Sequence, residues 1–442
     1  MIDIMDLCLK AVNHPISKEV DQIEAYSSQN RTITIVVEKG EIKTAKITTT
    51  TGIGIRAIKD KAIGFSHTSN PEKYDKTVEE ACSLAKAGQP DKDFKSLPSD
   101  TSKTHVEKLY DEKIRDLTVE EAMEMVKQMI NAAKISDKVY SIGGDFKATV
   151  YETAIANSLG VNKKQRGTYI SIFSEVVAKD GSETASGFEF NFSRHLKMID
   201  PEWVGREGAT IAVKSLDNVS PEKGKYPVII EPTGLGAFIG FLVSSAANAE
   251  NVQYKRSFLA GKLGQRIAGE NVNIYDDGTI PGLSGSTEFD GEGVHTRKVP
   301  IIENGILKNY LHNSYTAAKA GVESTGHAAR SYSSVPYIGA HNIVIEKGIK
   351  KEELLDVKKG ILLKYTGDLP NLANGEFSGL ILSGFLIENG EITKGLKQTM
   401  CGIHLLDLIN NIDAVGDDVR DVGGLYTPSI RIKRALITSR KG

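Results

Sequence analysis

Histidine is the residue type best able to bind a metal or move a proton at neutral pH, so its spacing limits the chemistry open to this chain. The nine histidines stand at positions 14, 67, 105, 195, 295, 312, 327, 341 and 404, and no two lie within five residues of each other. Zinc hydrolases commonly carry two histidines on one helix, with a glutamate that activates the metal-bound water. The sequence therefore excludes a helical zinc motif of the HExxH type.

The other candidates for chemistry are one cysteine–histidine pair and two polar turns. Cys401 and His404 have the spacing of two metal ligands, but a zinc site needs three or four, so the pattern favours a buried cysteine and a surface histidine. The stretch FDGEGVHT carries Asp290 and Glu292, and STGHAARS carries His327. If both turns line one cleft, these side chains would bind the backbone or termini of a peptide; otherwise they belong to solvated loops.

Length and composition limit the class of protein that can carry these side chains. The chain has 442 residues, of which 40% are hydrophobic and 25% charged, as in a globular protein. This length predicts about three domains of roughly 150 residues each. The formal charge of -2 gives no basic excess for binding nucleic acid. Three scattered cysteines, acidic residues near the N-terminus and no apolar run of about 20 residues predict a cytoplasmic protein without membrane spans.

The first 222 residues predict two similar α/β units. Residues 1–104 read as a helix, four or five strands, a second helix and a polar linker. Residues 105–222 repeat this order, beginning with a helix that opens at the capping box Thr118-x-x-Glu121. The repeated order suggests an internal duplication, but the two halves are too dissimilar in sequence to establish one.

Residues 223–442 predict a third, mainly β domain. Short strands and frequent glycines dominate, and the pairs Asn304-Gly305 and Asn389-Gly390 are typical of tight hairpin turns. The uncharged segment 233–249 reads as a helix enclosed by these strands. The predicted fold class is α+β, with two helix–sheet–helix regions followed by an antiparallel, barrel-like domain that contains a buried helix.

Long stretches of the sequence resemble the TldD/PmbA family, in the same order and over nearly the whole chain. The matching runs include VQYKRSFLAGKLGQRIAG, GLSGSTEFDGEGVHTRKVPIIENGILKNYLHNSYTAAKAG, ESTGHAAR and GEFSGLILSGFLIENGEITKGLKQTMCGIHLLDLINNIDAVGDDVR. Several long motifs in one order are far more specific than any short pattern. By this resemblance the chain is identified as a member of that family.

The resemblance implies a metal site in one branch of the family and the loss of that site here. In the TldD branch it implies an HExxxH helix that binds a catalytic metal together with a cysteine near the C-terminus. Two residues five apart on a regular helix would point about 140° away from each other, so that helix must be distorted or closely approached. The equivalent positions in this chain are Gly240, Phe241 and Ser245, with the cysteine position near 422–425. The chain thus resembles the PmbA/TldE branch and is expected to hold no cofactor of its own.

That branch implies a subunit of a cytoplasmic, heteromeric metallopeptidase that acts on unfolded peptides. The expected partners are peptide substrates and either a TldD-like HExxxH subunit, which would hold a zinc-type metal, or a second copy of this chain. The candidate peptide-groove residues are Tyr254, Lys255, Arg256, Asp290, Glu292 and His327.

Two other functions stay open. One is a homodimeric hydrolase with an unrecognised set of groups such as Cys401, His404, His327 and Glu292. Stoichiometric metal in the chain, or hydrolysis lost in His327→Ala, would favour it. The other is a peptide-binding or scaffold protein that acts alone.

Overall fold

Long antiparallel strands and short helices make up the first half of the chain. The computed structural model describes residues 3–439. Up to residue 219 the helices and strands are, in order, α1 (Ile4–Val12), β1 (Gln22–Glu38), β2 (Glu41–Lys59), β3 (Ala62–Thr68), α2 (Tyr74–Ala87), α3 (Glu112–Asp116), α4 (Val119–Ala132), β4 (Val139–Asn157), β5 (Asn162–Asp180), β6 (Glu183–Ser193), α5 (Pro201–Lys214) and β7 (Asn218–Val219). Short 3₁₀ turns at Pro15–Glu19, Pro71–Lys73 and Leu196–Met198 precede β1, α2 and α5.

The strands β1 to β6 form one sheet in the order β3-β2-β1-β4-β5-β6. β1 and β4 pair antiparallel over most of their length, so the two helix–strands–helix units share a sheet across the predicted boundary at residue 104. The first unit has three strands where four or five were predicted. The glycines within β2 mark no turn. A Cβ at Gly54 would lie 2.1 Å from the carbonyl oxygen of Tyr332, so glycine is needed there for the close approach of another segment.

Helices cover one face of this sheet because each carries an apolar stripe. The predicted capping box opens α4, where the hydroxyl of Thr118 accepts the N–H of Glu121 at 3.1 Å and the Glu121 carboxylate accepts the N–H of Thr118 at 2.9 Å. The α4 residues Val126 and Met129 are buried over Ile33 of β1. Other odd-numbered residues of β1 lie under α1 and α2. Because alternate residues of a strand point to the same face, α1, α2 and α4 all cover one face of the sheet.

Shorter strands and irregular segments dominate from residue 224 onward. In order they are β8 (Gly224–Ile230), α6 (Pro232–Leu235), two π-helical turns (Gly236–Gly240 and Leu242–Ala246), α7 (Ala249–Gln253), β9 (Ile274–Asp277), β10 (Lys298–Glu303), β11 (Ile306–Leu307), α8 (Ser314–Ala320), β12 (Ala328–Ala329), β13 (Tyr337–Ile338), β14 (Ile343–Val344), α9 (Lys351–Leu354), β15 (Lys359–Thr366), β16 (Glu376–Glu388), β17 (Glu391–Leu396), β18 (Thr399–His404), α10 (Leu405–Asn410), β19 (Ile412–Val415), β20 (Arg420–Asp421), β21 (Leu425–Thr427) and β22 (Ile430–Ser439).

Strands of this second half close into a barrel. β15, β8, β22, β18 and β16 pair in that order, and β16 also pairs with β15. The predicted α+β class with a barrel-like third domain is therefore confirmed. Both predicted hairpins are present: φ is 49° and 77° at Asn304 and Gly305, and 51° and 84° at Asn389 and Gly390. Asn-Gly is favoured in turns where two successive residues have positive φ, as in both of these hairpins.

The uncharged segment after β8 is buried in the core of the C-terminal region, as predicted. Leu235, Phe238, Ile239 and Leu242 have no exposed surface and belong to one apolar cluster with the barrel strands. Among residues 3–439, no helix is long and apolar enough to cross a bilayer.

Candidate functional site

The uncharged helix departs from α-helical geometry over residues 236–246. Its two π-helical turns bond N–H groups to carbonyls five residues back, and Ala247 N donates to Leu242 O at 2.8 Å in this way. In such a turn a residue and its fifth neighbour lie on roughly the same face, and Gly240 and Ser245 both face the same groove.

These two positions open onto a groove of about 380 Å³ between the π-helical turns and the turn at 422–425. Its walls are mostly small or apolar, and they include Phe190, Thr233, Gly236, Gly240, Phe241, Ser244, Ser245, Ala340, His341, Ile343, Leu369, Val422, Gly423, Gly424 and Leu425. The two segments that the sequence resemblance identified separately, 240–245 and 422–425, therefore face one space.

Asp421 holds the second wall of the groove in place. Its carboxylate accepts the N–H groups of Gly423 and Gly424 at 3.1 and 3.2 Å and the hydroxyl of Ser284 at 2.7 Å. Both glycines have left-handed φ values, 84° and 92°. A Cβ at Gly424 would lie 2.9 Å from the carbonyl oxygen of His341, so the turn needs glycine both for its conformation and for its packing.

The groove residues do not fit a divalent metal. Zinc takes thiolate, imidazole or carboxylate ligands, and the positions identified by resemblance carry Gly240, Phe241 and Ser245. The imidazole of His341 lies at the groove, but its Nε2 is bonded to Gly326 O at 2.7 Å, and burial lowers its pKa. Within residues 3–439, no group of three or more His, Cys, Asp or Glu side chains is arranged to hold a metal ion.

Tyr254, Lys255 and Arg256 lie on the surface just beyond the groove helix. The Arg256 guanidinium stacks 4.9 Å from the centre of the Tyr254 ring. The next residue, Ser257, donates to Ala246 O at 2.6 Å, so the segment is fastened to the end of the π-helical turns. These three predicted peptide-contacting residues therefore form an exposed, cationic surface next to the groove rather than part of its wall.

Asp290 and Glu292 were predicted to line a peptide groove, but both side chains are buried. The Asp290 carboxylate accepts the N–H groups of Glu292, Val294 and Ala328, each at 2.9 Å, which fixes the turn. Glu292 accepts the guanidinium of Arg56 at 2.9 Å, as well as the N–H and hydroxyl of Ser314. Both carboxylates thus stabilise the interior, and Glu292 joins the C-terminal region to the N-terminal sheet.

His327 is also fully buried, in a hydroxyl–imidazole–carboxylate arrangement. Its Nε2 lies 2.9 Å from Asp276 Oδ1, and its Nδ1 lies 2.9 Å from Thr325 Oγ1. The arrangement resembles a hydrolytic triad in composition only. The Thr325 hydroxyl also contacts the N–H and the carbonyl of His312 at 2.7 and 3.0 Å, so its hydrogen-bonding capacity is used. We therefore assign His327 a structural role.

The side chains of Cys401 and His404 lie in different environments. Cys401 is 2% exposed in the apolar core, and burial raises the pKa of its thiol to about 12. His404 caps α10, where its Nδ1 accepts the N–H of Leu406 at 3.1 Å and its Nε2 lies 2.6 Å from Asn374 O. The interpretation as a buried cysteine is correct, and the histidine is half-buried rather than on the surface.

Several groove residues were not singled out from the sequence. Thr233, Ser244 and Leu369 come from a helix and a loop that carry no recognisable motif. Phe190 belongs to the alternating FEFNF run of β6, where its ring stacks on that of Phe188 and is tilted against that of Phe192. That alternation was the available signal for an aromatic wall.

Comparison with known proteins covers most of the chain. The sequence models of PmbA/TldA metallopeptidase domain 1, the central domain and the C-terminal domain match residues 23–85, 112–216 and 223–439, respectively. A metalloprotease of Methanothermobacter thermautotrophicus is 28% identical over 96% of each chain. Metalloprotease PmbA of Escherichia coli O157:H7 is 27% identical over 96% of this chain and 94% of its own.

Solved structures agree with these sequence matches. TldE from Thermococcus kodakarensis is 27% identical and superposes with a TM-score of 0.87 over 96% of this chain and 98% of its own. A proposed modulator of a DNA gyrase from Thermotoga maritima is also 27% identical, with a TM-score of 0.90 over 98% of this chain and 100% of its own. The fold described above is therefore shared along almost the whole chain.

Proposed function

Because the chain belongs to the PmbA/TldD metallopeptidase family, we propose that it is a subunit of a heteromeric, cytoplasmic metallopeptidase that acts on unfolded peptides. In this proposal the chain holds no catalytic metal. A related subunit with an HExxxH helix supplies a zinc-type metal, and this chain helps to hold the peptide.

The observation that carries the proposal is the groove at the π-helical turns. Two parts of the chain that are distant in sequence converge there, yet the groove presents small residues, hydroxyls and apolar walls in place of metal ligands. Burying metal-binding side chains without a metal would be costly, and Gly240 and Ser245 avoid that cost. The buried, free cysteines Cys8, Cys82 and Cys401 agree with a reducing compartment.

The groove suits an extended, apolar stretch of peptide. Phe190, Phe241 and Leu369 offer apolar contacts, while the hydroxyls of Thr233 and Ser244 offer hydrogen bonds to a peptide backbone. In the proposal, the surface formed by Tyr254, Lys255 and Arg256 guides the peptide toward the groove. Asp290, Glu292 and His327 maintain the interior and do not contact the peptide.

Gly240 gives a direct test, because a side chain there fills the groove without displacing the core. A Cβ on Gly240 has no neighbour nearer than 4.0 Å. We expect the chain alone to hydrolyse no unfolded peptide and to be active when mixed with an HExxxH subunit. Gly240→Trp should raise the KM of the mixture about tenfold or more, as loss of one buried apolar contact predicts.

A matched control is Leu84→Trp, on the exposed side of α2, where the leucine is 52% exposed. It should leave the KM of the mixture unchanged. Hydrolysis by the lone chain at the rate of the mixture would refute the subunit role. An unchanged KM in Gly240→Trp would refute the proposal that the groove binds the peptide.

A further inference from the structure

Five aromatic side chains lie side by side on the face of the six-stranded sheet that points away from the helices. Phe173 of β5 pairs with Phe190 of β6, so odd positions of β5 share a face with even positions of β6. The helices lie on the other face, where a Cβ at Gly187 would be 2.4 Å from the backbone nitrogen of Ala212 in α5. We call the five residues the aromatic face: Tyr169, Phe173, Phe188, Phe190 and Phe192.

The aromatic face is not part of the core of either half of the chain. All five side chains are half-buried. Within residues 3–439, none of them belongs to a buried apolar cluster. The rings contact one another instead, with centres 6.5 Å apart for Phe188 and Phe190 and 4.9 Å apart for Phe190 and Phe192. A contiguous, partly exposed apolar patch is often a functional surface.

The aromatic face is continuous with the groove at the π-helical turns. Phe190 forms part of the groove wall. A Cβ at Gly423, in the opposite wall, would lie 3.8 Å from Cε2 of Phe192. At the other end the face is closed, because the ring of Tyr365 lies edge-on to Phe188 with centres 5.0 Å apart. A chain that leaves the groove along β6 therefore passes over Phe192.

The size of the aromatic face suits a few side chains of a peptide. A whole aromatic side chain has about 150–250 Å² of surface, so five that are mostly buried expose on the order of 300 Å² together. A stable protein interface buries about 800 Å² on each partner. The patch is thus small for a folded protein and large enough for two or three side chains.

The spacing of the rings also matches an extended peptide. Alternate residues of an extended chain lie about 6.5–7 Å apart and point to the same side. The ring centres of Phe188 and Phe190 are 6.5 Å apart. A peptide that runs along β6 would therefore place every second side chain over the next ring.

We propose that the aromatic face binds aromatic side chains at alternate positions of an unfolded peptide whose neighbouring segment lies in the groove. The inference rests on the proposed function and names the class of substrate that the chain selects. Aromatic rings gain more from stacked or edge-on contact with other rings than aliphatic side chains of similar area do. Peptides rich in phenylalanine, tyrosine or tryptophan are therefore preferred over aliphatic ones.

Single-stranded nucleic acid, whose bases also stack on aromatic rings, fits this surface less well. Proteins that bind it combine such rings with a positively charged groove. The formal charge of this chain is -2. Arg420 lies over the Phe190 ring, 4.8 Å from its centre, but its guanidinium donates to the Glu189 carboxylate at 2.6 Å. The surface therefore lacks the cationic track that a phosphate backbone needs.

Fluorescence anisotropy of labelled peptides with the full chain tests the inference. Two unfolded peptides of equal length and charge carry either phenylalanine or leucine at three alternate positions. The native chain should bind the phenylalanine peptide about three- to tenfold more tightly. Phe192→Leu and Tyr169→Leu should each weaken binding of that peptide about threefold and leave binding of the leucine peptide unchanged.

Phe65→Leu is the matched control. Phe65 is a half-buried phenylalanine on β3, at the opposite edge of the same sheet, and its ring stacks on that of His67. This variant should bind both peptides like the native chain. The circular dichroism spectrum of each variant checks that it has folded.

Equal affinity of the native chain for the two peptides would overturn the inference, and so would a preference that persists in both folded variants. If Gly240→Trp still weakens binding of both peptides in that case, the proposed function stands without the aromatic face. Binding of neither peptide, by the chain or by its mixture with an HExxxH subunit, would overturn both. Tighter binding of a labelled oligothymidine, lost in Phe192→Leu, would assign the face to nucleic acid instead.

Discussion

Replacing Arg56 by methionine should strongly destabilise the protein, because Arg56 is the buried partner of two carboxylates. The Arg56 Nη2 lies 3.0 Å from Glu24 Oε2 and 2.9 Å from Glu292 Oε1. The side chains of Arg56, Glu24 and Glu292 are 7%, 0% and 2% exposed. Methionine keeps most of the apolar stem but leaves Glu24 with Arg330 and leaves Glu292 with Ser314 alone.

The magnitude follows from the burial of the remaining carboxylate. Removing one partner of a buried ion pair costs about 3–5 kcal/mol, because the other charge stays desolvated without compensation. Glu292 belongs to the C-terminal region and Arg56 to the N-terminal sheet, so the same change weakens the contact between the two. We therefore expect the free energy of unfolding to fall by about 4 kcal/mol.

Urea unfolding followed by circular dichroism measures this loss. Arg115→Met is the control, because Arg115 pairs with Glu112 and Asp116 at the surface and its side chain is 45% exposed. That variant should unfold like the native chain. The double variant Arg56→Met/Glu292→Met should recover part of the loss, since an apolar pair replaces an unpaired charge. Equal midpoints for Arg56→Met and Arg115→Met would refute the reasoning.

Three further predictions test other parts of the structure. Burial lowers the pKa of His312 to about 4, against about 6.5 when unfolded. Between these values the unfolded chain binds a proton that the native chain does not. The free energy of unfolding should therefore fall by up to about 3 kcal/mol as the pH drops from 6.5 to 4, and His312→Asn should reduce that fall in urea titrations. Gly205→Ala should cost about 1–3 kcal/mol in the same assay, because its Cβ would lie 2.0 Å from Met129 O. Gly208→Ala, in the same helix but with 3.4 Å to its nearest neighbour, should cost less. Finally, Cys8, Cys82 and Cys401 are buried, so Ellman's reagent should label no thiol in the native chain and all three in urea; a fast native thiol would support the thiol-dependent hydrolase instead.

Features set by neighbouring residues could be predicted from the sequence. The Asn304-Gly305 and Asn389-Gly390 turns and the Thr118 capping box depend on two to four adjacent residues, and the structure has all of them. The α+β class and the barrel follow from such local signals combined with the strand pattern. The number of strands in the first unit was wrong because β1 and β2 run unbroken for 17 and 19 residues, well beyond the usual length of a strand.

Features set by distant residues could not be predicted in the same way. Glu292 looked like part of an exposed, Gly-rich turn, but its partner Arg56 lies 236 residues earlier in the chain. His327 likewise depends on Asp276, 51 residues away. The groove became visible only when the fold brought 240–245 and 422–425 together. The spacing of residues in the sequence identifies candidate functional side chains, whereas their burial in the fold decides which of them can contact a ligand.

The central claim is that this chain itself binds no catalytic metal, and metal analysis of the purified protein tests that claim directly. Elemental mass spectrometry should be applied to the lone chain and to the complex recovered with it from the native cell. We predict well under one metal ion per lone chain and about one per complex, carried by an HExxxH subunit. A full equivalent of tightly held zinc on the lone chain, lost when His341 or another groove residue is replaced, would contradict it.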